Sequence, residues 1–270
     1  MEFSGKAVWI TGASSGIGAA LARALGAQGA RLILSGRNEQ ALAAVAEGLG
    51  ETLLLPFEVT DQAAMLAATA QAAQWSDGID MLINNAGISQ RALAVDTDYP
   101  VYERIIAVDL LAPIALTQAV LPHMVARGSG RIVMISSVAG KFGVPLRTAY
   151  SAAKFGLIGY ADALRSEVAH LGLKVHVIAP GSVRTNVARN ALTADGTARG
   201  ASDPHIDAGI DPDVAVAEML AGIAADEREI IVAVGAEKQL GEARRTPDAL
   251  FDKVAGWVAA GYATRMETPQ

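Results

Sequence analysis

Residues 11–18 read Thr-Gly-Ala-Ser-Ser-Gly-Ile-Gly and join an apolar run, KAVWIT (6–11), to a helix-length segment (17–28). A strand that turns through glycines into a helix presents unpaired N–H groups and the positive end of a helix dipole to an anion. Gly12 permits the tight turn, Gly16 lets a pyrophosphate approach the backbone, and Gly18 lets the helix pack close to the strand. Ser14 and Ser15 add hydroxyl donors. The spacing is GxxxGxG rather than GxGxxG. No Lys-Ser/Thr pair follows the last glycine, which excludes an ATP-type phosphate loop.

The same alternation continues. Apolar runs at 30–35, 52–57, 79–83, 130–136 and 173–179 are separated by helical patterns at 38–49, 61–75, 100–126 and 150–171. Such a pattern predicts a parallel sheet covered on both faces, built from right-handed crossovers. Pro113 has no N–H and is expected to bend or interrupt the 100–126 helix. Residues 186–210 are rich in Ala, Gly, Asp and Asn, and a stretch that loose reads as a functional loop or lid. A helix (212–224), a strand (229–234) and an amphipathic helix (247–260) follow. The last carries Leu250, Phe251, Val254, Trp257 and Val258 on one side and is expected to pack on the body of the fold. The whole, residues 1–270, reads as one domain.

Composition narrows the function classes. The 22 Lys and Arg against 28 Asp and Glu give a net charge of −6, which argues against a nucleic-acid protein. Mean hydropathy is +0.30. Even so, no apolar run of about 18 residues lacks a charge or a helix breaker, so no transmembrane span is predicted. There is no cysteine, which removes disulfides, thiolate metal sites and cysteine nucleophiles. The N-terminal MEFSGKAVWITG has no secretory pattern, and a cytoplasmic protein is expected.

Tyr150 and Lys154 are four apart in a helical pattern and share a face. A cation on the same face favours the phenolate, which suits a phenol that donates or accepts a proton. Ser137 lies at the end of the 130–136 strand. Strand ends and the following helix starts face one crevice in a parallel sheet, so Ser137 and Tyr150 are expected to converge on one substrate oxygen.

Taken together, TGASSGIG (11–18), NNAG (84–87), Ser137, Y-x-x-x-K (150–154) and PGSVRT (180–185) resemble the short-chain dehydrogenase/reductases. NNAGISQR, LPHM, SSVAGKFGVP and RTNVARNALTADG resemble the dehydrogenase/reductase member 7-type branch. The resemblance implies a doubly wound Rossmann fold with a seven-stranded parallel sheet and a nicotinamide dinucleotide cofactor. Gly12, Ser14, Ser15, Gly16, Ile17 and Gly18 would hold its phosphates. Glu58 and Val59 would flank the adenine, and Asn85, Ala86 and Gly87 would line the cofactor. Pro180, Gly181, Val183 and Thr185 would hold the nicotinamide end. Tyr150 would be the general acid or base, Ser137 would bind the substrate oxygen, and Lys154 would bind the ribose. The family assembles as dimers or tetramers through the helices of 100–126 and 150–171, so a homodimer or homotetramer is expected. Two positions depart from the family pattern. Asp109 stands where Asn is usual in the proton relay, and Glu58 stands where Asp is usual.

The cofactor choice is read at Leu34-Ser35-Gly36-Arg37-Asn38. No acid stands at 35 or 36, and Arg37 offers a planar charged fork to a 2′-phosphate, so NADP(H) is expected. The expected substrate is a small-to-medium apolar ketone, aldehyde or secondary alcohol. Its pocket is expected from residues 88–91, 138–147 and 182–210, with Val138, Ala139, Phe142, Val144 and Pro145 as apolar wall. Three alternatives stand beside this reading: an NAD-dependent alcohol dehydrogenase, a nucleotide-binding sensor with weakened catalysis, and an enzyme held to a membrane surface by its last helix. His123, His170, His176 and His205 lack metal-ligand spacing, so no metal is expected. Arg91, Lys141 and Arg147 stand where they could edge the substrate pocket, but read better as solvated loop charges.

Overall fold

The computed structural model describes residues 2–75 and 78–260. Along the chain come β1 (Ala7–Thr11), α1 (Gly16–Ala27), β2 (Arg31–Gly36), α2 (Glu39–Ala46), β3 (Thr52–Pro56), α3 (Gln62–Trp75), β4 (Met81–Asn84) and α4 (Tyr99–Ile106). A π-helical turn (Ala107–Leu111) leads into α5 (Ala112–Arg127), then β5 (Gly130–Ile135), α6 (Thr148–Val168), β6 (Leu173–Pro180) and α7 (Pro204–Asp207). α8 (Pro212–Ala224), β7 (Glu229–Val232), α9 (Gly235–Glu242) and α10 (Asp248–Ala259) complete it.

All seven strands lie parallel in the order β3-β2-β1-β4-β5-β6-β7. The chain winds outward from β1 to β3, then returns to the middle and winds the other way. The switch between β1 and β4 opens a crevice at the strand C-termini. Successive residues of each strand feed opposite cores. Val8 and Ile10 of β1, with Leu32 and Leu34 of β2, join α1 and α8 on one face. Trp9, Ile33 and Leu82 join α3, α5 and α6 on the other. Burying each such side chain contributes roughly 1.5–3 kcal/mol. That is why these strands read as continuous apolar runs rather than alternating ones.

The long middle helix departs from expectation in detail. Its interruption is the widened turn at Ala107–Leu111, and Pro113 sits in the first turn of α5 just beyond it. A proline at 113 cannot donate to the carbonyl four residues back, at Asp109, so the helix opens there. Tyr99–Arg127 is a 29-residue helical path, apolar and long enough to cross a membrane by length and composition. In this fold Val101, Ile105, Leu116, Val120 and Met124 of that path are buried inside the protein.

One further expectation is corrected. Lys141 is not solvated: its ammonium lies 2.6 Å from Glu229 of β7, and the two side chains are 4% and 3% exposed. Helix α9, with two glycines in eight residues, was not expected and packs against β7. α10 packs on α6 as expected; Phe251 is buried between the guanidinium groups of Arg165 and Arg228, while Leu250 and Trp257 point outward.

Candidate active site

The loop after β1 is shaped by close approach. Gly12 has φ +65°, and a Cβ there would come within 2.8 Å of Ala86 Cα. At Gly18 a Cβ would lie 2.2 Å from the Gly12 carbonyl oxygen and 2.6 Å from Asn85 Nδ2. Ser15 caps α1 with extended backbone, and its hydroxyl makes no capping bond. Asn85 donates from Nδ2 to the Thr11 carbonyl (2.9 Å) and the Gly12 carbonyl (3.3 Å). Thr11 Oγ1 accepts from Asn85 N–H and Ala86 N–H at 3.0 and 3.1 Å. The Asn85 side chain therefore braces the glycine loop.

Across the crevice, Ser137 follows the end of β5. Its Oγ accepts from Ala139 N–H (3.1 Å) and donates to the Pro180 carbonyl (3.3 Å), tying the ends of β5 and β6 together. Tyr150 lies in the first turn of α6. One turn on, Lys154 Nζ lies 5.5 Å from the Tyr150 ring centre, donates to the Ile135 carbonyl (3.1 Å) and pairs with Asp109 Oδ2 (3.1 Å). Asp109 Oδ1 accepts from Ile88 N–H at 2.8 Å. Burial pushes the Asp109 carboxyl above its ordinary value, against the pull of Lys154. Burial alone would lower the Lys154 ammonium, but Asp109 and then Tyr150 reverse this and hold it raised. Gly87 passes over the pair: a Cβ there would stand 3.0 Å from Asp109 Oδ2 and 3.5 Å from Lys154 Nζ.

One cavity of about 930 Å³ joins these parts. Its walls include Gly12, Ser14, Ser15, Gly16, Ile17, Arg37, Glu58, Val59, Asn85, Ala86, Gly87, Asp109, Ser137, Tyr150, Lys154, Pro180, Gly181, Val183 and Thr185. Gly18 stands behind them, packed on Gly12. At one end Arg37 and Arg104 both face Glu58, at 3.7 and 3.2 Å. The apolar lining differs from expectation. Val138 and Ala139 are buried, and Val138 and Phe142 pack with Ala179, Ile231 and Ala233 outside the cavity. Pro100, Val101, Val187, Leu192 and Ile206 form the wall instead. The 186–210 stretch is laid across it by the pairings Gln90 with Leu192 and Val183 with Ile210.

These residues fit a dinucleotide. The glycine cradle has no room for a Cβ at Gly12 or Gly18, and polar groups run along the cavity from Arg37 to Tyr150. The family model for short chain dehydrogenase matches residues 6–196. The chain belongs to the short-chain dehydrogenase family. Among curated relatives of this short-chain dehydrogenase is dehydrogenase/reductase SDR family member 7B of Danio rerio, 41% identical over 84% of this chain and 77% of that protein. Among solved structures, a metagenomic short-chain oxidoreductase in complex with NADP is 33% identical, with TM-score 0.70 over 86% of this chain and 98% of its own. A short-chain dehydrogenase/reductase of Burkholderia phymatum in complex with NAD is 22% identical, with TM-score 0.77 over 86% of this chain and 90% of its own, and shares the fold. This short-chain dehydrogenase is thus an oxidoreductase with a nicotinamide dinucleotide site.

Sequence reasoning missed several site residues. Glu237 of α9 accepts from Ser182 N–H (2.8 Å) and Ser182 Oγ (2.9 Å), clamping the Pro180-Gly181 turn. Gln90, fully buried, accepts from Ala149 N–H at 2.9 Å and so fixes the start of α6. Arg91 is ion-paired with buried Asp203 at 2.5 Å, and Arg147 lines the cavity half-buried, so neither is a solvated loop charge. The only sequence signal was their position, just after NNAG and just before the Tyr150 helix.

Proposed function

We propose that this protein is an NADP(H)-dependent oxidoreductase that interconverts a ketone or aldehyde and the corresponding alcohol. The observation that carries this reading is the convergence of Ser137, Tyr150 and the Lys154–Asp109 pair on the cavity that also holds the glycine loop. When bound, the nicotinamide supplies or takes the hydride. Ser137 Oγ and the Tyr150 hydroxyl would hold the substrate oxygen. Tyr150 gives it a proton in reduction and takes one in oxidation. The Lys154 ammonium stabilises negative charge on the phenol, and Asp109 holds that ammonium in place. The Leu192 and Ile206 wall keeps water from the reacting carbon.

NADP(H) is favoured over NAD(H) by Arg37, which lies at the end of β2 with no acid at Ser35 or Gly36. Glu58 lies 3.7 Å from it and would have to yield to the 2′-phosphate. We place the dimer or tetramer contact on the outer faces of α5 and α6, and multi-angle light scattering measures it. The deciding experiment is nicotinamide fluorescence with NADPH and NADH, followed by turnover on carbonyl and alcohol panels. Tyr150→Phe is expected to bind cofactor and lose turnover. A variant that keeps its full function would instead mark a nucleotide-binding sensor.

A further inference from the structure

Arg147 has an unusual place. It stands three residues before Tyr150, lines the same cavity, and forms no ion pair or side-chain hydrogen bond among the described residues. Its Nε is buried without an acceptor. Burial pushes its guanidinium below its ordinary value, and Tyr150, Arg91, Asp203 and Glu237 are the charged or titratable groups that act on it. The neighbouring carboxylates are occupied. Asp203 takes Arg91 at 2.5 Å and the His205 N–H at 3.0 Å. Glu237 takes Ser182. Asp195, on the cavity wall, is held by its own turn through Thr193 and Thr197.

The backbone is strained to keep Arg147 there. Leu146 has φ +67°, a left-handed conformation that a leucine seldom adopts. The Leu146 carbonyl is tied to Ala92 N–H at 3.1 Å, and Gln90 Oε1 holds Ala149 N–H at 2.9 Å. Strain of this kind persists where surrounding structure enforces it and clusters at ligand sites. A largely desolvated guanidinium without a partner is costly, and an anion arriving in the cavity would remove that cost.

We propose that Arg147 receives a carboxylate of the substrate, so that this enzyme reduces an oxo acid to a hydroxy acid or runs the reverse reaction. The proposal rests on the oxidoreductase reading above and replaces a wholly apolar substrate with one charged at one end. In reduction the carbonyl carbon gains the hydride of NADPH, its oxygen gains the Tyr150 proton, and NADP⁺ is released. A guanidinium fork matches a carboxylate with two parallel N–H donors. Arg91 and Arg199 both act on Asp203, and neither lines the cavity. Lys154 is already paired with Asp109, so among the described residues Arg147 is the one cavity-lining cation at this end without a carboxylate partner, which suits a singly charged carboxylate better than a doubly charged phosphate.

Calorimetric titration of the NADP⁺-loaded protein with hexanoate, hexanamide and inorganic phosphate tests this. Hexanoate is expected to bind at least tenfold tighter than hexanamide and tighter than phosphate. Arg147→Met should erase the difference, and Arg147→Lys should keep part of it. Equal affinity for acid and amide, a preference that survives Arg147→Met, or phosphate binding above hexanoate would each overturn the proposal. If Arg147→Met does not fold, the acid–amide comparison and Arg147→Lys still decide. Tyr150→Phe keeps the two readings apart. It should still bind hexanoate, and full turnover in that variant would overturn the acid–base role of Tyr150, while a wild type without cofactor-dependent turnover would overturn the oxidoreductase reading; either result leaves the carboxylate site standing.

Discussion

Asp109 Oδ2 lies 3.1 Å from Lys154 Nζ, and both side chains are closed off from solvent. An ammonium so closely matched spends part of its field on its partner rather than on Tyr150. Asp109→Asn keeps an acceptor for the Ile88 N–H and removes the opposing charge. The unopposed ammonium should then favour negative charge in the site more strongly, and the pH–rate profile of alcohol oxidation should move toward lower pH. A pH–rate profile identical to the wild type would show that Asp109 does not control the relay.

Gly18→Ala puts a Cβ 2.2 Å from the Gly12 carbonyl oxygen. Overpacking of this kind costs about 1–3 kcal/mol, and the loop that moves is the one that faces the phosphates. Fluorescence titration should show NADPH affinity at least tenfold weaker, with a lower melting temperature. Gly159→Ala is the contrast: nothing lies within 4 Å of its Cβ in α6. It should stabilise by about 0.5–1 kcal/mol without altering NADPH binding.

Arg37→Ala should weaken NADPH about ten- to a hundredfold, the worth of a charge-assisted hydrogen bond of about 1.5–3 kcal/mol. NADH affinity should stay the same. Glu58→Gln frees both Arg37 and Arg104 and should tighten NADPH. If NADH affinity falls equally in Arg37→Ala, the side chain does not select the phosphate.

Lys141 and Glu229 form an ion pair that is almost fully buried. Breaking such a pair from one side costs about 3–5 kcal/mol, because the remaining charge is stranded. Denaturant unfolding should show that loss for Glu229→Gln or Lys141→Met alone, and the double variant Lys141→Met with Glu229→Met should recover most of it. Additive losses would mean that the pair is not coupled.

His176 of β6 is 1% exposed, and its Nδ1 lies 2.7 Å from the Glu227 carbonyl. Burial holds the imidazole below its usual 6.5. The folded state thus resists a proton that the unfolded state accepts. Stability from this group is present above pH 6.5 and is lost as pH falls toward the folded value, with a slope of up to about 1.4 kcal/mol per pH unit. His176→Asn should flatten that slope in unfolding measured from pH 7 to 5.

The fold was largely legible in the sequence because each strand is apolar on both faces. Val8, Trp9 and Ile10 leave no other way to be buried, and the seven runs became seven strands. The glycine loop and the Ser137, Tyr150 and Lys154 positions were legible through spacing along adjoining elements. What stayed hidden depends on contacts between distant segments. Lys141 reads as a loop charge until β7 brings Glu229 beside it. Glu237 belongs to a short glycine-bearing helix with little apolar periodicity, and its partner Ser182 lies 55 residues away. The apolar wall was misplaced because Val138 and Ala139 turn away from the crevice to pack with β6 and β7. Pro113 marked the interruption of the long helix in advance, but its form, a π-helical turn that aims Asp109 inward, had no signal in the sequence.

The strand order has one further outcome. Arg37 leaves the sheet after β2 and Arg147 follows β5, with β1 and β4 standing between those strands. Three strand spacings amount to roughly 14 Å, and the two guanidinium groups share no carboxylate. Changes at sites so separated combine almost independently. The fold is in that sense modular: if Arg37 selects the coenzyme and Arg147 the substrate, as proposed, changes at one margin of the crevice should leave the preference at the other margin intact.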